Sequence, residues 1–176
     1  IQKLDEWREE RYLQTWSIHH GNPLPYLGES ISVDVQTHSA RTPLIQLNDG
    51  LLTLSTRAPD DISRNHRALV GWLRQRAAEC FEKRVAHYAA QLGVAMPRLS
   101  LTQARTRWGS CNTQGHIRLN WRLIHLPIPM IDYVVTHELA HLKEMNHSPR
   151  FWAVVETMYP DWRAARQARP VSPRPT

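Results

Sequence analysis

The 176 residues suffice for one hydrophobic core, or for a catalytic domain with a small appendage, and exclude two large independent domains. Hydrophobic residues make up 41% of the chain and charged residues 22%, which excludes an intrinsically disordered protein. A net charge of +6 and a pI near 9.8 permit a nucleic acid or an acidic partner, but the basic residues are scattered, so the charge alone demands neither.

The N-terminus lacks the order of a signal peptide, and no run approaches the roughly 18 apolar residues of a membrane span. The expected protein is soluble and cytoplasmic, with no membrane partner. Ile1 in place of a methionine suggests a chain that starts further upstream. Cys80 and Cys111 show no C-x-x-C spacing, so reduced, mostly buried thiols are expected in place of a disulfide or a cysteine zinc site.

In chain order, residues 1–16 mix charges with Leu4, Trp7, Tyr12, Leu13 and Trp16, a helical pattern. Over residues 21–57, turn residues (Gly21-Asn22-Pro23, Leu27-Gly28, Asn48-Asp49-Gly50) separate short β-prone runs such as Ile31-Ser32-Val33-Asp34-Val35, which predicts a small antiparallel sheet. Pro59-Asp60-Asp61 then supplies helix-start chemistry. Leu69, Leu73, Ala77, Cys80, Val85, Tyr88 and Leu92 recur at helical spacing up to Gly93, a suitable stop, with Trp72 and His87 as packing residues.

Strand character returns over residues 97–123. In the last run, Ile117, Leu119, Trp121 and Leu123 share one face, and His116, Arg118, Asn120 and Arg122 share the other. Asn120 on the polar face suits either a substrate hydrogen bond or a satisfied surface amide. A tight packed turn is expected at Arg107-Trp108-Gly109-Ser110-Cys111. Residues 127–145 read as a helix, Ser148-Pro149 opens another carrying Phe151, Val154, Val155 and Met158, and the end of the chain is basic and then proline-rich, so residues 169–175 are expected to be disordered. The pattern is α+β, with a β-rich region over residues 1–58, a core over 59–162 and a tail over 163–176.

Thr136-His137-Glu138-Leu139-Ala140-His141 carries the chemistry. Residues four apart on a helix lie one turn above each other, so the imidazoles of His137 and His141 can reach one ion. Glu138, about 100° round the helix from His137, can reach a water without ligating the metal. At this period Ile128, Ile131, Val135, Leu139 and Leu142 form a core sector, and Asp132, Thr136, Lys143 and Glu144 fall on the expected solvent side. On an unbroken helix His147 would lie about 15 Å along the axis from His137. The chain must therefore turn, with Asn146 ending one helix in a left-handed conformation and Ser148-Pro149 starting the next. Three histidines would leave zinc's fourth position open, the arrangement of a catalytic site. One Zn²⁺ per chain would activate water and polarise a peptide carbonyl, with Glu138 as general base. Tyr133, Tyr159, His125 and Arg107 are all conceivable partners for a developing oxyanion, and the sequence does not choose among them.

Together with Ile117-Arg118-Leu119-Asn120-Trp121-Arg122-Leu123 and Asn146-His147-Ser148-Pro149-Arg150-Phe151-Trp152, these motifs give a chain that resembles the YgjP-like zinc metallopeptidases, relatives of the SprT-like proteases. Leu24-Pro25-Tyr26-Leu27-Gly28 also looks like that family's β-rich region. The resemblance implies a compact zincin-like fold, zinc held by His137, His141 and His147, and Glu138 as catalytic base. By the same resemblance, residues 116–123 would be the edge strand that pairs with an extended protein or peptide substrate. Two other functions fit the composition: a protease recruited to DNA by its basic surface, and a zinc-stabilised interaction module without turnover.

Overall fold

A computed structural model describes residues 23–168; the helical pattern expected for residues 1–16 and the disorder expected for 169–175 lie outside that range. The first four strands are β1 (Pro23–Tyr26), β2 (Glu29–Thr37), β3 (Leu44–Asn48) and β4 (Leu51–Thr56). They form one sheet in the order β1-β2-β4-β3. The sheet is mixed, not wholly antiparallel as the turn pattern suggests, because β4 runs parallel to β2 in the register Val33↔Leu52, Val35↔Leu54. Burial explains the insertion. β4 places Leu52, Leu54 and Thr56 entirely out of solvent, whereas no residue of β3 is fully buried, so the more deeply buried strand takes the central position. Asp49 (φ 47°) and Gly50 (φ 76°) make the tight turn that folds β4 back along β3.

Helix α1 (Ile62–Leu92) runs for 31 residues. Asp61 caps it by accepting the Arg64 backbone N–H at 3.0 Å, and Gly93 ends it at φ 73°. Its buried row is Leu69, Leu73, Ala77, Phe81, Val85 and Tyr88; Phe81 takes the place expected for the half-buried Cys80, and His87 is exposed instead of packed.

Three short strands follow: β5 (Leu99–Thr102), β6 (Gly109–Cys111) and β7 (Ile117–Asn120), in the order β5-β7-β6. The run expected to be one long edge strand over residues 116–123 is corrected twice. It stops at Asn120 and tightens into a 3₁₀ turn over Trp121–His125, and β7 is the central strand of its sheet. Asn120 is fully buried. Its amide donates to the carbonyls of Ala104 (2.9 Å) and Arg107 (3.3 Å), and its oxygen accepts the Arg122 N–H at 3.1 Å. All its capacity goes into starting the 3₁₀ turn and holding the loop before β6, so it fits neither role read from the sequence.

The turn is clasped by the β1–β2 hairpin. Leu27 (φ 50°) and Gly28 (φ 83°) form the hairpin tip, and their N–H groups donate to the carbonyls of Ile124 (2.8 Å) and His125 (3.2 Å). His125 is buried, and its Nδ1–H donates to the Pro25 carbonyl at 2.7 Å. A side chain at Gly28 would place Cβ 2.7 Å from Pro127 Cγ, so only glycine fits this junction. The first sheet is thereby fastened to the start of helix α2 (Ile128–Ala140).

Helix α2 is covered on nearly all sides, by α1, by β6 and β7, and by the helices α3 (Pro149–Met158) and α4 (Trp162–Ala168). Asp132 and Thr136, expected on a solvent face, are therefore buried at 6% and 0% exposure. Arg84 of α1 reaches Asp132 with two hydrogen bonds, Nε–Oδ1 2.6 Å and Nη2–Oδ2 2.7 Å, and the Thr136 hydroxyl donates to the Asp132 carbonyl at 2.8 Å. Residues 163–168, grouped with the tail by composition, continue α4 and bury Ala165.

Candidate metal centre

Helix α2 delivers His137 and His141 one turn apart, with ring centroids 5.2 Å from each other. The helix stops at His141, and its last carbonyls are taken by tightened bonds: His141 N–H to Glu138 at 3.2 Å, Leu142 to Leu139 at 3.0 Å, Lys143 to Ala140 at 3.0 Å. This corrects the expected helix over residues 127–145. Asn146 is not left-handed; the only positive-φ residues other than glycine among the described residues are Leu27 and Asp49. The reversal itself is present. Ser148 caps α3 by accepting the Phe151 N–H at 3.4 Å, and Pro149 fills the first turn, where a missing N–H costs nothing.

The reversal brings His147 back. Its ring lies 4.9 Å from those of both His137 and His141, and its Nε2 is 3.0 Å from His137 Nε2. One ligand nitrogen from each of the three imidazoles lies within 4.8 Å of the others. The Glu144 carbonyl, which can only accept, takes the His141 Nδ1–H at 3.1 Å and fixes the tautomer that leaves Nε2 with its lone pair. Burial pushes the His141 pKa below its ordinary value; the Glu144 carbonyl works against that, and His147 adds to it. Neutral imidazoles are what a metal needs. The donor set fits zinc: bonds of 2.0–2.1 Å in a tetrahedron place ligand nitrogens about 3.3 Å apart, close to the spacing of His137 and His147.

Phe151 forms the floor under all three rings, with centroids 4.6 Å from His141, 4.8 Å from His147 and 4.9 Å from His137, and is itself fully buried. The sequence reads Phe151 only as core; the signal for its place is that it lies in the first turn of the helix capped by Ser148, directly after His147. Trp152 stands beside the cluster, 5.7 Å from His137 and 6.3 Å from His147.

Glu138 is 6% exposed and lies against β6. A Cβ on Gly109 would sit 2.9 Å from Glu138 Cγ and 3.0 Å from Oε1, so the carboxylate rests on bare main chain. Cys111, two residues along, has its thiol pKa raised by burial and then by the Glu138 charge. The expected tight turn at residues 107–111 is thus a short strand whose glycine makes room for Glu138. Among the four oxyanion candidates, His125 is buried in the 3₁₀ turn with Nδ1 committed to Pro25, Tyr133 is buried with its ring 5.9 Å from His137, Tyr159 is half-buried, and Arg107 is exposed in the loop before β6.

Among the described residues, no helix is long and apolar enough to cross a membrane. Residues 1–168 match the family described as YgjP-like, metallopeptidase domain. Among solved structures, the chain is similar to the metallopeptidase zymogen abylysin of Pyrococcus abyssi, with 28% identity and a TM-score of 0.45 over 49% of this chain and 86% of that one. A second similarity is to the zymogen jannalysin of Methanocaldococcus jannaschii, with 16% identity and a TM-score of 0.45 over 50% of this chain and 91% of that one. A search among curated proteins finds no match. With the family match spanning residues 1–168 of 176, the chain belongs to the YgjP-like metallopeptidases.

Proposed function

We propose that His137, His141 and His147 hold one zinc ion and that Glu138 is the general base of peptide-bond hydrolysis. The observation that carries this reading is the convergence of three imidazoles, two from α2 and one from the reversal before α3, with a nearly buried carboxylate next to His137 in the chain. Zinc bound there supplies a Lewis acid that polarises the peptide carbonyl and lowers the pKa of water toward about 7. Glu138 takes the proton of the attacking water and later hands it to the leaving nitrogen.

The extended substrate pairs with β6, not β7. Among the described residues β6 is the edge strand that packs against α2, and its Gly109 is the strand residue against Glu138.

Glu138→Gln is expected to abolish hydrolysis of a protein or peptide substrate while metal analysis still finds about one zinc per chain. Unchanged turnover in that variant would remove Glu138 from the mechanism.

A further inference from the structure

Among the arginine–carboxylate pairs of the described residues, Arg76 meets Glu79, Arg84 meets Asp132 and Arg163 meets Glu156. Arg166, exposed on α4, meets no carboxylate among the described residues. Its guanidinium lies instead over the ring of Trp152, 4.9 Å from the centroid. Trp152 in turn stacks on the buried Trp162, with centroids 4.3 Å apart and planes 18° from parallel. The same Trp152 ring lies 5.7 Å from His137 and 6.3 Å from His147.

A cation is thus held on an aromatic support that adjoins the metal-binding imidazoles. A ring face attracts the charge but satisfies none of the five guanidinium N–H donors, which keep the planar fork that fits a carboxylate. The surroundings have the same sign. Residues 103–108, 141–150 and 161–168 carry Arg105, Arg107, Lys143, Arg150 and Arg166 against Glu144 and Asp161, with Arg163 already paired to Glu156.

We propose that Arg166 is a specificity-determining residue that favours substrates with an Asp or Glu side chain close to the scissile bond. The proposal rests on the peptidase reading above. A guanidinium supported on the Trp152 ring gains a charge-assisted pair with such a side chain and nothing comparable with its amide isostere.

The test uses the Glu138→Gln protein loaded with zinc and two fluorescein-labelled pools of decapeptides, identical except that Asp and Glu in one are Asn and Gln in the other. Fluorescence anisotropy is expected to show the acidic pool binding about three- to fivefold more tightly at low ionic strength, the upper range for an exposed ion pair, and the advantage shrinking at about 0.5 M salt. Adding Arg166→Gln is expected to remove the preference while leaving the affinity for the amide pool unchanged, and Arg166→Lys to retain part of it. Equal affinity for both pools in the parent protein would overturn the proposal, as would an Arg166→Gln protein that keeps the preference or loses affinity for both pools alike. Residual hydrolysis by Glu138→Gln would instead count against Glu138 as base, and the affinity ratio would still judge Arg166.

Discussion

Gly109→Ala adds a single methyl group where β6 lies against Glu138. The new Cβ would meet Glu138 Cγ at 2.9 Å, Glu138 Oε1 at 3.0 Å and Val134 Cγ1 at 3.1 Å. Carbon atoms rest about 3.5–4.0 Å apart, so Glu138 has to give way by about 0.6 Å. Helix α2 cannot retreat, because α1, α3 and α4 pack around it, and the displacement falls on the Glu138 side chain. A catalytic group tolerates about 0.5 Å of misplacement, and 1 Å costs about 100-fold, so kcat is expected to fall roughly 10- to 100-fold. Overpacking costs about 2 kcal/mol, less a few tenths from the stiffer unfolded chain, for a loss of about 4–8 °C in Tm. Zinc content should stay the same, since none of the three histidines is touched, and KM should change less than kcat. In the Glu138→Gln background the alanine has no proposed base left to displace, so the double variant should be no slower than Glu138→Gln alone. A Gly109→Ala enzyme with full kcat would refute the placement of the base against β6, and equal loss of zinc and activity would make Gly109 merely structural.

The clasp on the first sheet predicts a pH dependence. Burial pushes the His125 pKa down from 6.5 to about 4, so between those values the unfolded chain binds a proton that the folded chain refuses. This contribution is fully present above pH 6.5 and fades as pH falls, by about 2 kcal/mol at pH 5. His125→Asn can keep the bond to Pro25 but not the titration, so its urea-unfolding free energy should drop less between pH 7 and pH 5 by that amount; parallel curves would disprove the assignment. Asp132→Asn replaces the carboxylate facing Arg84 on the enclosed side of α2, whose side chain is 8% exposed. It should cost about 2 kcal/mol, with Arg84 30% exposed and partly rehydrated, and lower Tm by about 4–8 °C in calorimetry; a loss under 1 °C would show that the pair is dispensable. His147→Ala removes an exposed ring and should change metal-free stability by no more than about 0.5 kcal/mol. Zinc at about 100 times its Kd should raise the stability of the parent by about 2.7 kcal/mol but not that of this variant, as followed by differential scanning fluorimetry. An equal zinc response in both would exclude His147 as a ligand.

What the sequence conveyed and what it concealed divide along local and distant interactions. His137 and His141 are legible because a helical turn fixes them regardless of the rest of the fold, and His147 because Ser148 and Pro149 are a cap and a first-turn residue in any context. Asp61 and Gly93 mark the ends of α1 for the same reason. Asp132 and Thr136 were misplaced on a solvent face because a helical wheel knows polarity and not partners. The guanidinium that makes Asp132 acceptable inside comes from Arg84, 48 residues earlier. The left-handed end expected at Asn146 failed because the helix had already ended at Ala140, with i→i+3 bonds using the carbonyls of Glu138, Leu139 and Ala140.

Strand position was the least readable feature and the one with the largest functional consequence. Ile117-Arg118-Leu119-Asn120 alternates as a half-exposed strand should, whereas Gly109-Ser110-Cys111 has neither the length nor the β-branched residues of one. Alternation tells which face is buried but not which side of a strand remains unpaired, and here both sides of β7 are taken, by β5 and β6. With β6 at the sheet edge among the described residues, a different backbone faces the helix that carries His137 and His141. The strand next to Glu138 is then the one that begins with a residue lacking a side chain, and the same glycine that weakens its strand signal lets the carboxylate lie against the main chain. A β-branched residue at position 109 would have made the strand easier to recognise and, by filling the space Glu138 occupies, would have displaced the proposed base.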